Sequence, residues 1–152
     1  MCCRCAEKKH GDQESQALGR SRGGFSTKIH IAVDALGNPL RLHLTGGECH
    51  DSPHAAGLIA GFEPDAVIAD KGYDTDELIE AVKARGIEAV IPPRGNRKEQ
   101  REYDRYLYRE RHLIECFINK IKHYRRVFSR FEKLSKNYLG FLSFVSALVW
   151  LR

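Results

Sequence analysis

The sequence has no long apolar run, and only one methionine and one tryptophan among 152 residues. No stretch reaches the roughly 18 to 20 apolar residues that span a bilayer. The richest, Tyr138 to Leu151, is too short and is interrupted by Gly140, Ser143 and Ser146. The opening MCCRCAEKKHGDQESQ has no apolar core of the kind a secretory signal carries. The chain is therefore expected in the cytoplasm, with no membrane partner. Its five cysteines are an odd number, which argues against a disulfide framework in that compartment. Cys2 and Cys5 have CxxC spacing and His10 follows, but a zinc knuckle needs a second ligand pair at matching spacing, and none is present.

What is there is a globular composition of one-domain length, 42% hydrophobic and 30% charged. The net charge of +5 is unevenly spread. From Arg94 to Arg152 there are 15 Lys+Arg against 6 Asp+Glu, whereas Met1 to Pro93 has 10 against 14. A basic C-terminal third suits a polyanion, since clustered Lys and Arg release condensed counterions. A merely soluble basic surface is the plainer reading, and charge alone does not choose between them.

Thr27 to Asp34 (TKIHIAVD) and Leu40 to Thr45 (LRLHLT) alternate apolar and polar side chains around Ala35 to Pro39 (ALGNP). That pattern predicts a β-hairpin. Ser52 to Ala60 reads as a helix, Ala66 to Asp70 (AVIAD) as a short buried strand, and Thr75 to Arg85 as a helix stopped by Gly86. Ile87 to Ile91 reads as another strand, ended by Pro92 and Pro93, and Arg94 to Asp104 as a basic loop. One helix is expected from about Tyr106 to Phe128. Another, from about Leu139 to Leu151, is apolar nearly all round and is expected to be buried. Strands separated by helices imply an α/β layer with a mixed, partly parallel sheet, and one that opens on a bare hairpin looks a strand short.

Two places can carry chemistry. Asp70 ends the most apolar strand, and open α/β sheets place their sites outside the carboxyl ends of strands. The simpler role for it is to cap the turn at Gly72. On the helix after the basic loop, Arg111, Glu115, Asn119, Lys122 and Arg126 fall on one stripe, opposite Ile114, Phe117, Ile121, Tyr124 and Phe128. The simpler role here is a solvated face with an Arg111–Glu115 i,i+4 pair. Taken together, a strand-end carboxylate and a helix carboxylate can share divalent cations for phosphoryl transfer, with neighbouring Arg and Lys on the phosphates.

The spacing Tyr108-x2-Arg111-x3-Glu115-x6-Lys122 resembles the YREK motif of bacterial insertion-sequence DDE transposases. Gly19 to His30 (GRSRGGFSTKIH) is similar to a block in insertion sequence family five, and Ala69 to Asp74 (ADKGYD) to the block around that family's second aspartate. Thr45 to Asp51 (TGGECHD), Ile91 to Arg94 (IPPR) and the C-terminal helices are also family-like. The resemblance covers Gly19 to Arg152 as part of a catalytic domain, with residues 1–18 an irregular N-terminal segment.

The resemblance implies an RNase H-like fold, DNA cleavage and strand transfer, and two Mg²⁺ (or Mn²⁺) ions. It makes Asp70 and Glu115 the second and third metal-binding carboxylates. Arg20, Arg22, Lys71, Tyr108, Arg111, Lys122 and Arg126 become DNA contacts or supports, although Arg20 and Arg22 could equally sit in a flexible basic linker. The implied partners are transposon-end and target DNA, an upstream-frame product or full-length transposase, and further copies of the chain.

The family's first aspartate stands on a strand upstream of the GRSRGG block, where this sequence has only MCCRCAEKKHGDQESQAL. Asp12 lies in polar coil, Asp34 ends a hairpin strand and Asp51 sits in a CHD segment, and none matches that position. The first strand and the N-terminal DNA-recognition helices are thus expected to be missing, as in a second-frame product or a decayed remnant. The alternative function is a catalytically inactive DNA-binding or regulatory chain. A third reading, an HD-type metallophosphohydrolase on His50-Asp51, needs further histidine ligands on helices, whereas His30 and His43 fall on strands.

Overall fold

A computed structural model describes residues 15–151, with the side chain of Arg126 left undescribed. Strand β2 (Gly24–Val33) pairs antiparallel with β3 (Pro39–Gly46), from Thr27 opposite Gly46 to Val33 opposite Pro39, with an irregularity at Ala32/Val33. This is the hairpin that the alternation predicts. Its turn is closed by Asp34, whose carboxylate accepts from the backbone N–H of Leu36 and of Asn38, while Gly37 supplies the positive φ of 82°. Asp34 is thus a turn-former.

The Gly-rich block is neither loop nor linker. Gly19–Ser21 forms strand β1 and folds back on Gly24–Ser26. The tight turn uses Gly24 at φ 106°, and the Ser21 hydroxyl donates to Gly24 O at 3.0 Å. Arg20 and Arg22 are exposed on this small hairpin.

Helix α1 (Ser52–Ile59) follows, then β4 (Ala66–Ile68), a 3₁₀ turn at Lys71–Tyr73, α2 (Asp76–Ala84) and β5 (Glu88–Val90). β4 and β5 run parallel, as a strand–helix–strand unit requires. Thr75 caps α2 by accepting from Leu78 N, acids fill its first turn, and Gly86 at φ 74° lets the chain leave it. The single mixed sheet expected from the sequence is found instead as two pieces, β1-β2-β3 and β4-β5, and among the described residues no strand joins them.

Two cores result. Ala55, Leu78, Ile79, Val82, Ile87 and Ile91 close around the parallel pair. The inner face of the hairpin, with Ile29, Ile31, Leu42 and Leu44, packs on Phe117, Ile121, Val127, Tyr138, Leu142 and Val145 from the C-terminal helices. Each such side chain contributes about 1.5–3 kcal/mol on burial. Arg41 ties β3 to α1 by donating to the carbonyls of Gly57 and Ala60 at the helix end.

The long helix expected over Tyr106 to Phe128 is broken. A 3₁₀ turn (Leu107–Arg111) leads into α3 (His112–Lys122), and Tyr124 leaves helical geometry at ψ 76° before the short α4 (Arg125–Phe128). The bend brings Val127 into the second core and leaves Phe128 43% exposed, so Phe128 does not continue the apolar face drawn on one straight helix. No Gly or Pro marks this break in the sequence. Helix α5 (Ser135–Trp150) buries Tyr138, Leu142, Val145 and Ser146, but Phe141 and Phe144 are half or more exposed. The expectation that it is buried on every side is therefore corrected: nothing described covers its outer face. No helix among the described residues is long and apolar enough to cross a membrane.

Candidate functional site

The β4–β5 ladder extends to Ala69, whose N–H donates to Val90 O, and Asp70 stands just beyond it. Its carboxylate accepts from Gly72 N at 2.8 Å, so the turn-capping role is real. That bond also fixes the side chain at the mouth of an open cavity of about 640 Å³, lined among others by Lys28, Asp51, Asp70, Lys71, Gly72 and Arg94. With Glu48 also in the lining, three cations and three carboxylates share the cavity.

Arg111, at the start of the helix, lies in the electrostatic field of Asp70. It donates to Glu115 Oε1 at 2.6 Å, and its guanidinium lies over the Tyr108 ring, 5.9 Å from the centroid. The bond to Glu115 is the main reason its pKa is raised, against slight burial, and the charges of Glu115, Tyr108 and Asp70 add to it. The strand-end acid and the helix acid therefore both act on one guanidinium.

Behind the cavity lies a buried polar layer. His30 is 2% exposed; Nε2 lies 2.8 Å from the Thr45 hydroxyl and Nδ1 3.4 Å from the Tyr73 hydroxyl. Burial lowers the His30 pKa to about 4, helped by His54, His43 and Lys28 and opposed by Asp51. Burial likewise pushes the Tyr73 hydroxyl up to about 12, with the charges of Asp51 and Asp70 adding.

The basic loop after β5 is pinned, not free. Arg94 donates to the carbonyls of Lys71 (3.1 Å) and Gly72 (2.6 Å). Buried Asp74 accepts from Arg94 N at 2.7 Å, Arg97 Nε at 3.0 Å and Arg101 Nη1 at 2.8 Å, and both arginines also reach Asp76. Burial works to raise the Asp74 pKa, but these bonds and charges prevail and hold it below the ordinary carboxylate value.

Asp70 and Lys71 thus line the cavity; Arg111, Glu115 and Tyr108 form a cluster of their own that does not line it, with Arg111 in the field of Asp70. Lys122 stands about two turns beyond Glu115, donates to Asn119 Oδ1 and lies over the Phe128 ring, outside the cavity wall. Arg20 and Arg22 do not line it either. Asp12 lies outside the described residues. The HD-type reading gains no ligand set: His30, His43 and His54 stack on one another at 5.0–6.0 Å, and among the described residues no three His, Cys, Asp or Glu side chains gather to hold a metal. Lys28 and Arg94 are site residues that the sequence did not single out. Lys28 sits in an ordinary alternating strand, and only the family-like IPPR segment pointed towards Arg94.

The chain belongs to a transposase family: a model of the transposase DDE domain matches residues 4–150. Its relatives are insertion-sequence transposases by name. One from Brucella ovis, named for element IS6501, is 42% identical over 131 residues, which cover 84% of this chain and 100% of that protein. One from Burkholderia cepacia, named for IS402, is 32% identical over 142 residues, 86% of this chain and 64% of the relative. A Neisseria meningitidis serogroup B transposase of IS1106 is 31% identical over 94 residues, 58% of this chain and 33% of the relative. The chain thus spans under two thirds of two of the three. No solved structure matches it.

Proposed function

We propose that the chain carries out the DNA cleavage and strand transfer of insertion-sequence transposition. Asp70 and Glu115 serve as metal-binding carboxylates within an RNase H-like catalytic domain that includes residues 19–152. The observation that carries this reading is the strand-end carboxylate of Asp70, held by Gly72 N at the mouth of a cavity lined by Lys28, Lys71 and Arg94. The donor set suits hard divalent cations, Mg²⁺ or Mn²⁺, which prefer carboxylate oxygens. Gly72 supports the fit, since a side chain there would press on the carboxylates of Asp70 and Asp51. Such ions, two in the complete enzyme, would activate the attacking oxygen and stabilise the leaving one.

The remaining residues bind and orient. Lys71 and Arg111 contact phosphates at the cavity, and Tyr108 supports Arg111 from below its guanidinium. Arg20, Arg22, Lys122 and Arg126 extend the contact along transposon-end and target DNA. The active species is a homo-oligomer. The test is nicking of supercoiled DNA in Mn²⁺. Loss of nicking in Asp70→Ala and Glu115→Gln, with DNA binding kept, supports the reading. Salt-sensitive DNA binding with no cleavage under any metal favours the inactive, DNA-binding alternative.

A further inference from the structure

Asp51 stands where a helix cap belongs and does not cap. It precedes α1, yet its side chain makes no capping bond, and proline in the first turn removes one of the donors it would have used. The carboxylate turns instead to the cavity, where Lys28 Nζ lies 2.9 Å from Oδ1. The other oxygen approaches Asp70. A Cβ placed on Gly72 would lie 2.8 Å from Asp70 Oδ1 and 3.2 Å from Asp51 Oδ2, so the separation of the two oxygens is bounded by the sum of those distances. Two oxygens that share one Mg²⁺ at about 2.0–2.1 Å are no more than about 4 Å apart. Side-chain rotation can cover that difference, and Gly72, which stands beside both carboxylates, carries no side chain to fill the space they face.

We propose that Asp51 is a further carboxylate of the metal site, sharing a divalent cation with Asp70. It is a residue beyond the strand-end and helix acids, and the proposal rests on the reading of Asp70 as a metal ligand. Lys28 then has a definite part: its ammonium takes the cation's place beside Asp51 while no metal is bound. The Lys28–Asp51 pair is about one-third exposed on both sides, so it holds little stability and opens readily. Lys28 has an alternative acceptor ready, the Cys49 carbonyl at 2.6 Å. A dication competing with one ammonium for Asp51 gains when that ammonium is removed.

The test is Mn²⁺ binding to the whole chain without DNA, read as free Mn²⁺ by electron paramagnetic resonance, with circular dichroism as the check on folding. Asp70→Asn and Asp51→Asn should each weaken binding at least tenfold. Lys28→Met should tighten it about threefold or more, and this second variant carries the test even if Asp51→Asn folds poorly. Binding that falls in Asp70→Asn but is unchanged in Asp51→Asn, or is unchanged or weaker in Lys28→Met, overturns the role of Asp51 and leaves the Asp70 site standing. Binding indifferent to Asp70→Asn overturns that site and the present inference with it.

Discussion

Arg111 donates to Glu115 across one turn of helix at 2.6 Å while also lying within the field of Asp70. As a surface i,i+4 pair at 34% and 56% side-chain exposure, it contributes at most about 0.5 kcal/mol to stability. If Glu115 binds metal as proposed, the guanidinium beside it would matter far more to cleavage than to folding. Arg111→Ala should therefore leave thermal unfolding almost unmoved and reduce Mn²⁺-dependent cleavage at least tenfold. A loss of stability in proportion to the loss of activity would make Arg111 a structural residue.

Asp74 is the opposite case, a carboxylate that holds structure. It is 3% exposed and gathers Arg94 N–H, Arg97 and Arg101. Asp74→Ala strands those donors, two of which can still turn to solvent. A cost of about 2–3 kcal/mol is expected, near the upper end for orphaned buried partners. Its folded pKa lies below the ordinary 3.8. Its stabilisation is therefore present above that value and lost as pH falls through the folded one. Urea unfolding should show the acid-side decline in wild type and a flatter acid limb in Asp74→Asn. A decline of equal steepness in both proteins would remove Asp74 as its source.

How much of this was legible depended on where the signal lies. The β2–β3 hairpin and the α2 cap were open to reading because alternation, Gly37, Thr75 and Gly86 are local. The break at Tyr124 was not, because it serves Val127, a tertiary contact, and carries no Gly or Pro. The exposure of Phe141 and Phe144 was hidden likewise, since an apolar side chain does not say whether anything covers it. Asp70 was findable from a strand end, and Glu115 from a spacing. Asp51 was visible as a residue, but its approach to Asp70 depends on how α1 meets the turn at Lys71–Tyr73, and no local pattern encodes that.

DNA binding should be strongly salt-dependent and weakly sequence-dependent. The chain is basic after Pro93, and Arg20, Arg22, Lys71 and Lys122 are exposed. Removing one phosphate-contacting cation should lower the slope of log K against log salt by about 1 and weaken binding to all sequences alike. Fluorescence anisotropy with Lys71→Ala, and separately with Arg20→Ala and Arg22→Ala, checks this. A slope left unchanged by Lys71→Ala would take the cavity off the DNA path.

The last prediction concerns the chain acting alone, and it follows from charge. Two dications bring four positive charges, and Asp51, Asp70 and Glu115 together bring three negative ones, one of them facing Lys28 and another Arg111. If these three are the ligands, a second ion would be held less well than the first, because Mg²⁺ demands near-octahedral geometry. A misplacement of about 1 Å costs on the order of a hundredfold in rate. The two separate sheets point the same way, since short parallel strands with unpaired edges hold a site less firmly than a continuous layer. The chain by itself should therefore nick DNA slowly in Mn²⁺, with that residual activity abolished by Asp70→Ala. Fusion to an apolar strand carrying the family's first aspartate should raise the rate by about the hundredfold lost to misplacement. The assay compares the chain, its Asp70→Ala variant and the fusion on one supercoiled substrate. Robust cleavage by the chain alone, lost in Asp70→Ala and not improved by the fusion, would refute the prediction. It would also mean that a carboxylate already in the chain serves as the first aspartate, with Asp51, at the cavity wall, the first to vary.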